Sequence, residues 1–191
     1  MADFRVSLGL DEHQRITLMQ RGILIFNDDI DSNSLDEFQS DLLYVASLGL
    51  PQIKVILTTN GGALDCAFGM YDLIRQIDQT LTLGVHTVAV GYCYSAGMVV
   101  LQAGRQRLAT PFTTLMIHET LTIQFGKMSE VEEDVRFAKE LTDRMVKVLT
   151  ERSKVKPSTL RKRIKGRNWW LTADDALKFG FVDTIVDNLS L

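Results

Sequence analysis

Between Arg21 and His118 the chain alternates short apolar stretches with segments of helical periodicity, and this alternation constrains the fold more than any other feature. The apolar stretches are short and mostly rich in β-branched residues, so we predict that they are strands. The intervening segments repeat apolar residues every three or four positions, which is typical of amphipathic helices. In chain order the predicted strands are Arg21–Phe26, Ile53–Leu57, Leu81–Val90, Arg107–Ala109 and Thr114–His118.

Helices are predicted around Leu35–Val45, Cys66–Ile77 and Ser95–Gly104, each between two predicted strands. Strands separated by helices indicate an α/β fold, in which the helices cross over between strands of one sheet. A chain of 191 residues is long enough to bury a hydrophobic core, so we expect a single domain.

Composition excludes several classes of protein. The net charge of −3 gives no reason to expect nucleic acid or an anionic membrane as a partner. The two cysteines, Cys66 and Cys93, fit a reducing compartment better than a disulfide scaffold. No apolar run reaches the roughly 18 residues of a membrane span, the start lacks a secretory signal pattern, and no residue cluster has metal-ligand spacing. We therefore expect an intracellular protein without a bound metal.

The segment Gly91–Met98 places a serine directly after an apolar strand and before two small residues that open a helix. A strand-to-helix turn of this kind lifts a side chain out of the sheet and leaves backbone N–H groups free to bind an anion. Ser95 is therefore a candidate nucleophile, and His118, 23 residues downstream, is a candidate base. Cys93 is predicted to be a core residue, and His86 and His13 are interpreted as structural.

A long amphipathic helix follows His118. Ser129–Glu132 has the capping-box pattern, with Ser129 as the predicted N-cap and a glutamate three residues later. The apolar stripe runs from Val131 to Val148, about five turns. The helix is predicted to reach Lys154, and Pro157 ends it. Such a helix is long for a globular domain. It is either an ordinary surface helix or a contact between subunits.

Four motifs, in this order, carry a resemblance to a known family. Each alone is weak, but together they resemble the proteolytic subunit of the Clp protease, ClpP, from about Arg21 to Val186. The motifs are the Gly-Gly loop Thr58–Gly62, the serine turn Gly91–Met98, the histidine segment Met116–His118, and the stretch Arg167–Ala176 with Phe179–Asp183.

The resemblance implies an α/β fold of the ClpP/crotonase type, a stacked β-α spiral with a protruding handle helix. It implies one domain over residues 1–191, with an N-terminal segment at 1–20 and the handle region at 119–157. In the family, two rings of seven subunits face each other through the handles. The segment Thr120–Gly126 stands where the family has a glycine-rich strand, and its β-propensity still predicts a strand that a peptide substrate extends.

The resemblance also assigns the site, residue by residue. Ser95 matches the nucleophile and His118 the base. Gly62 and Ala96 match the residues whose backbone N–H groups form the oxyanion hole, so a changed side chain at Ala96 leaves that donor in place. Arg167 matches a residue that, in the family, couples ring–ring contact to the active site.

The third catalytic position departs from the family, because Asn168 stands where the family has aspartate. An asparagine amide oxygen can accept a hydrogen bond from His118 and orient it, but it supplies no negative charge to the imidazolium. A Ser95–His118–Asn168 set is therefore expected to work more slowly than the family norm. Asp174 and Asp175 follow Thr172 and are interpreted as residues of a helix N-terminus.

The implied partners are other ring subunits, identical or mixed, an AAA+ unfoldase of the Clp type, and unfolded protein or peptide substrate. No cofactor is expected, since the partner ATPase consumes the ATP, and the expected location is the cytoplasm. Lys54 and Ile56 replace likely aromatic residues on the strand where the family docks its ATPase, which favours a divergent partner or a mixed ring. Two alternatives remain: a weak or inactive regulatory ring subunit, and, with less support, a crotonase-like acyl-CoA enzyme.

Overall fold

The structure, a computed structural model, describes residues 12–120 and 127–189 of the chain. Seven helices and seven strands lie in these two ranges. The helices are α1 (Glu12–Gln20), α2 (Ser32–Ser47), α3 (Leu64–Asp78), α4 (Gly97–Leu101), α5 (Met128–Glu151), α6 (Pro157–Ile164) and α7 (Ala173–Phe179). The strands are β1 (Ile23–Phe26), β2 (Gln52–Thr59), β3 (Gly84–Tyr94), β4 (Gln106–Ala109), β5 (Thr114–Ile117), β6 (Trp169–Thr172) and β7 (Thr184–Ile185).

The five predicted strands all form, and they pair as the α/β interpretation requires. One path of the sheet runs β1-β2-β3-β4-β7 with parallel pairing throughout. Parallel neighbours need a crossover connection, and α2, α3 and α4 occupy the connections between the first four strands. The predicted α/β fold is therefore confirmed.

The strand β3 is the longest in the sheet and belongs to two sets of neighbours. Its first half, His86–Ala89, pairs with β4, whereas its last three residues, Tyr92–Tyr94, pair with β5. On its other side β5 pairs antiparallel with β6. This division brings the end of β3, the end of β5 and the start of β6 to one place, and the serine turn, His118 and Asn168 lie there.

The core lies between the sheet and the crossover helices. The largest fully buried side chains come from both, which is typical of packing a helix layer on a sheet. Burying each large apolar side chain contributes about 1.5–3 kcal/mol. Those below 2% exposure include Phe38, Leu42, Ile53, Leu57, Met70, Ile74, Met98, Leu101 and Phe181.

The helix α5 begins and ends close to its predicted bounds, but its cap was predicted wrongly. The N-cap is Lys127, not Ser129, and Oε2 of Glu130 accepts a hydrogen bond from the N–H of Lys127 at 3.3 Å. Both positions have a glutamate three residues later, Glu130 after Lys127 and Glu132 after Ser129, so the capping-box pattern fits either start. The chain adopts the earlier start. Only Met145, Val146 and Leu149 of α5 are buried, so the first half of the helix projects from the sheet. The strand predicted within Thr120–Gly126 lies largely outside the described residues, since the structure does not describe 121–126.

An ion pair between the buried Arg107 and the more exposed Asp183 ties β4 to the C-terminal segment. Arg107, 3% exposed, pairs with Asp183 and also donates to Oε1 of Gln102 at 2.6 Å and to the carbonyl of Gly180 at 2.8 Å. Burial alone would raise the pKa of Asp183, but the hydrogen bonds and charge of Arg107 lower it below 3.8. The pair therefore fixes the turn that follows α7.

Candidate active site

Ser95 occupies the turn between β3 and α4 in a strained backbone conformation. Its φ of +53° is the only positive φ of a non-glycine residue in the described part of the chain. This left-handed conformation costs roughly 1–2 kcal/mol for a residue with a Cβ. The N–H of Ser95 donates to the carbonyl of Met116 at 2.8 Å, which ties the turn to β5. Strain held in place by neighbouring strands is typical of a functional position.

His118 follows the last residue of β5 and faces the serine. Its Nε2 lies 2.6 Å from Oγ of Ser95, the distance of a strong hydrogen bond. Burial lowers the pKa of the His118 imidazole below its usual 6.5, because the half-buried ring is poorly hydrated when charged. The ring is therefore neutral at pH 7, and a neutral imidazole can accept the hydroxyl proton.

Two backbone N–H groups flank the serine. Gly62 forms a parallel bridge with Ile30, and the bonds of this bridge use the carbonyl of Gly61 and the N–H of Ala63. The N–H of Gly62 consequently points away from Ile30, and Gly62 lines the cavity that Ser95 and His118 also line. In the described part of the chain neither this group nor the N–H of Ala96 has a hydrogen-bond acceptor.

Gly61 brings the Gly-Gly loop against the serine turn. A Cβ added there would lie 2.6 Å from the carbonyl oxygen of Tyr94, 2.8 Å from Cβ of Ser95 and 2.9 Å from the nitrogen of Ala96. Its φ of +93° also excludes a side chain. The loop Thr58–Gly62 therefore contacts the turn that carries Ser95 only because Gly61 has no side chain.

A cavity of about 460 Å³ opens beside Ser95 and His118. Its apolar wall comes from α5 and is lined by Phe137, Ala138, Leu141 and Met145. Oγ1 of Thr120 lies 2.7 Å from Oγ1 of Thr142, which ties the chain after His118 to the same helix. From the sequence, this helix was expected to be either an ordinary surface helix or a contact between subunits, and neither expectation included a wall of the cavity. The sequence feature that could have indicated this wall is the pair Leu141 and Met145, which lie one turn apart on one face of the helix.

Asn168 lies opposite His118 but does not contact it through a hydrogen bond. The antiparallel pairing of β5 with β6 ends at Ile117 and Trp169. One position beyond this pair, His118 follows Ile117 and Asn168 precedes Trp169, so the two residues lie opposite each other. The side chain of Asn168 is exposed, and across residues 12–120 and 127–189 it makes no hydrogen bond. Nδ1 of His118 likewise has no partner in those ranges. The orienting role of Asn168 stays a prediction.

The other residues considered from the sequence lie outside the catalytic contacts. Cys93 is fully buried, and burial raises the pKa of its thiol to about 12, so the prediction of a core residue is confirmed. The Thr172 hydroxyl accepts from the N–H of Asp175 and caps α7, as predicted. Trp169 is buried against two phenylalanines, whereas Trp170 is half exposed and packs edge-on against Tyr94.

The remaining predicted positions lie on the surface or at the sheet. Arg167 is exposed and donates from Nε to the carbonyl of Arg163 at 3.0 Å. Nζ of Lys54 donates to the carbonyl of Leu189 at 2.7 Å, and Ile56 is buried. Within the described ranges no group of three or more His, Cys, Asp or Glu side chains could hold a metal ion. None of the helices described is both long and apolar enough to cross a membrane.

A strained serine at a strand-to-helix turn, a neutral histidine on its hydroxyl and two free N–H groups beside it together define a serine hydrolase of α/β architecture. The family model for Clp protease matches residues 11–189. The chain belongs to the Clp protease family, a family of serine peptidases.

Individual relatives agree with this assignment. The ATP-dependent Clp protease proteolytic subunit of Porphyromonas gingivalis is 28% identical over 173 residues, which is 89% of this chain and 76% of the relative. Among solved structures, a ClpP1 mutant from Listeria monocytogenes with an asparagine-to-aspartate substitution superposes with a TM-score of 0.80. The two chains are 20% identical, and their superposition covers 92% of this chain and 96% of the other. The match shows that the two proteins share a fold.

Proposed function

We propose that this chain is a catalytically active ClpP-type peptidase subunit in which Ser95 is the nucleophile and His118 the general base. The observation that carries the proposal is the 2.6 Å contact between His118 Nε2 and Ser95 Oγ, with the serine held in a strained turn. Such a contact lets the imidazole take the hydroxyl proton as Oγ attacks a carbonyl carbon.

The proposed reaction is hydrolysis of a peptide bond through an acyl-enzyme. Attack by Oγ of Ser95 gives a tetrahedral intermediate whose oxyanion accepts hydrogen bonds from the N–H groups of Gly62 and Ala96. Removing one such donor typically costs about 2.7–4 kcal/mol of transition-state stabilisation. The imidazolium of His118 then protonates the leaving amine, and water, activated by the same ring, hydrolyses the ester. In this scheme Asn168 orients the ring through Nδ1 without supplying charge.

The proposed assembly follows the family. Residues 1–191 form one domain, α5 acts as the handle within the region 119–157, and two heptameric rings enclose the site, with Arg167 near the ring–ring contact. An AAA+ unfoldase delivers unfolded protein, ATP is consumed there, and this chain, located in the cytoplasm, uses no cofactor. Lys54 and Ile56 support a divergent ATPase or a mixed ring, and recovery of neither from the native cell by affinity capture would contradict this.

The test of the catalytic assignment is labelling with a fluorophosphonate probe, together with hydrolysis of a short fluorogenic peptide. Wild-type protein should label and hydrolyse, and both should vanish in Ser95→Ala and in His118→Ala. Size-exclusion chromatography checks that the variants still assemble. Labelling that persists in Ser95→Ala would exclude Ser95 as the nucleophile.

A regulatory subunit is the second candidate, and one observation favours it. Asn168 is exposed and makes no hydrogen bond to His118 across the described ranges, so nothing there fixes the imidazole tautomer. Assembled wild-type protein that does not label, while Asn168→Asp does, would favour this candidate over an active subunit.

A further inference from the structure

His118 and Asn168, which lie opposite each other at the site, are held together on one side by the sheet. Ile117 of β5 pairs with Trp169 of β6, the last pair of that antiparallel ladder. Trp169 is 8% exposed and packs edge-on against Phe179 and Phe181, so this pair is fixed in the core. The residues that come next on the two chains are His118 and Asn168.

A second contact holds the same two chains on the other side. The N–H of Gly166 donates to Oε2 of Glu119 at 2.8 Å. Glu119 directly follows His118, and Gly166 lies two residues before Asn168. The pair His118 and Asn168 is therefore bracketed by Ile117–Trp169 and by Glu119–Gly166.

Nothing else described joins this turn to β5. Gly166 is left-handed, with a φ of +65°, and no atom lies within 4 Å of the position that its Cβ would take. The other hydrogen bonds of the turn return to α6: Lys165 N–H to the carbonyl of Arg161, and Arg167 N–H to the carbonyl of Ile164. Without the Glu119 carboxylate, the turn is held by its hydrogen bonds to α6 on one side and by Trp169 of β6 on the other, and no described contact joins Gly166 to the chain after His118.

We propose that Glu119 is a positioning residue for the Ser95–His118 pair, because its carboxylate holds the turn that keeps Asn168 opposite His118, so that the amide can bind Nδ1 during catalysis. The proposal rests on the proposed function. An amide oxygen at Nδ1 selects the tautomer with the proton on Nδ1, which leaves Nε2 free to accept from Ser95. A turn released from Glu119 lets Asn168 move away, and the ring then populates the unproductive tautomer and orientation.

The experiment uses the assembled, full-length protein and measures kcat and KM for a short fluorogenic peptide from acid to neutral pH. Glu119→Ala should lower kcat about tenfold with KM within about twofold, since a small misplacement of a catalytic group costs rate rather than binding. Glu119→Gln should stay within about twofold of wild type, because its amide oxygen still accepts from Gly166. Glu130→Ala, which removes another exposed carboxylate bonded to a backbone N–H, is the matched control and should leave kcat unchanged.

The decisive comparison is made in the Asn168→Ala background. If Glu119 acts through Asn168, then adding Glu119→Ala to Asn168→Ala does not lower kcat any further. An equal loss in both backgrounds, or unchanged kcat in Glu119→Ala, overturns the positioning role. Hydrolysis that Ser95→Ala leaves intact overturns the proposed function instead, so the two failures are distinguishable.

Hydrogen exchange at the Gly166 amide checks the contact with Glu119 directly. The exchange rate should rise in Glu119→Ala and rise less in Glu119→Gln, and an unchanged rate in Glu119→Ala overturns the proposal.

Discussion

Oγ of Ser95 lies 2.6 Å from Nε2 of His118, although 23 residues separate them in the chain. The contact exists because β3 extends past β4 and pairs its last residues with β5, which ends immediately before the histidine. The hydrogen bond from Ser95 N–H to Met116 then fixes the distance between the two elements. The contact between the proposed nucleophile and the proposed base is thus a product of strand pairing.

Replacing Asn168 with aspartate should raise the rate of peptide hydrolysis. A carboxylate opposite His118 would accept from Nδ1–H and stabilise the imidazolium, and in a related triad the opposite change costs about 10⁴-fold. We expect a gain of at least about tenfold in kcat. Asn33→Asp adds the same charge on α2 without facing His118 and should change kcat little. A lower kcat in Asn168→Asp would contradict the orienting role.

The pH dependence of kcat/KM should show an acid limb with its midpoint below 6.5. Burial lowers the pKa of His118, and the base must be neutral, so activity is present above that pKa and lost as pH falls through it. In Asn168→Asp the new negative charge raises the pKa of His118, and the limb should move to higher pH. A wild-type midpoint above 6.5 would show that another group controls the profile.

Gly61→Ala should abolish activity, because its Cβ would overlap the carbonyl of Tyr94 and the Ser95 side chain. We expect a loss of more than about 10²-fold in kcat, the scale of a displaced catalytic group. Gly49→Ala is the control for backbone strain: its φ is +69° and no atom lies within 4 Å of the added methyl. It should lower the free energy of unfolding by about 1–2 kcal/mol and leave kcat unchanged. Wild-type kcat in Gly61→Ala would refute the close approach.

Asp183→Asn should lower the free energy of unfolding at pH 7 by roughly 1–3 kcal/mol, because it leaves the buried Arg107 without its charge partner. The folded pKa of Asp183 lies below 3.8, so its stabilisation is present above that pH and is lost as pH falls. The difference between wild type and variant, measured by urea unfolding, should therefore shrink toward pH 3.

The control for this prediction is Asp143→Asn, which breaks an exposed pair with Arg161. Exposed pairs contribute about 1 kcal/mol or less, so its effect should be small. A difference for Asp183→Asn that persists unchanged into acid would mean that charge is not the cause.

Ala138→Leu should narrow the cavity beside Ser95 and select against large substrate side chains. Ala138 lines the wall that α5 provides, so added methyl groups there reduce the cavity volume. We expect this cavity to receive the side chain of the residue before the scissile bond. We expect kcat/KM to fall about tenfold for leucine at that residue, the scale of one lost side-chain contact, and little for alanine. Lys139→Leu adds the same side chain at the next, exposed position and should have no such effect. Equal losses for both peptides would place the substrate elsewhere.

Much of this protein follows from local sequence alone. The strand pattern from Ile23 to Ile117 and the crossover helices are visible because buried strands and amphipathic helices have distinct apolar periods. Ser95 was identified because small residues at a strand-to-helix turn are a local signal, and His118 because it follows an apolar strand and matches a motif of the family. The N-cap of α5 was predicted wrongly, because Lys127 and Ser129 each have a glutamate three residues later, and α1, α6, β6 and β7 were not predicted.

Tertiary structure decided what local periodicity does not encode. The division of β3 between β4 and β5, the wall that α5 gives the cavity, and the contact of Glu119 with Gly166 all join residues far apart in the chain. Such contacts depend on the pairing of strands and the path of the chain between them, and their free energy is gained only when distant segments meet. The sequence therefore determined the α/β elements and the serine and histidine, and the fold decided their distance, their strain and the residues that hold them.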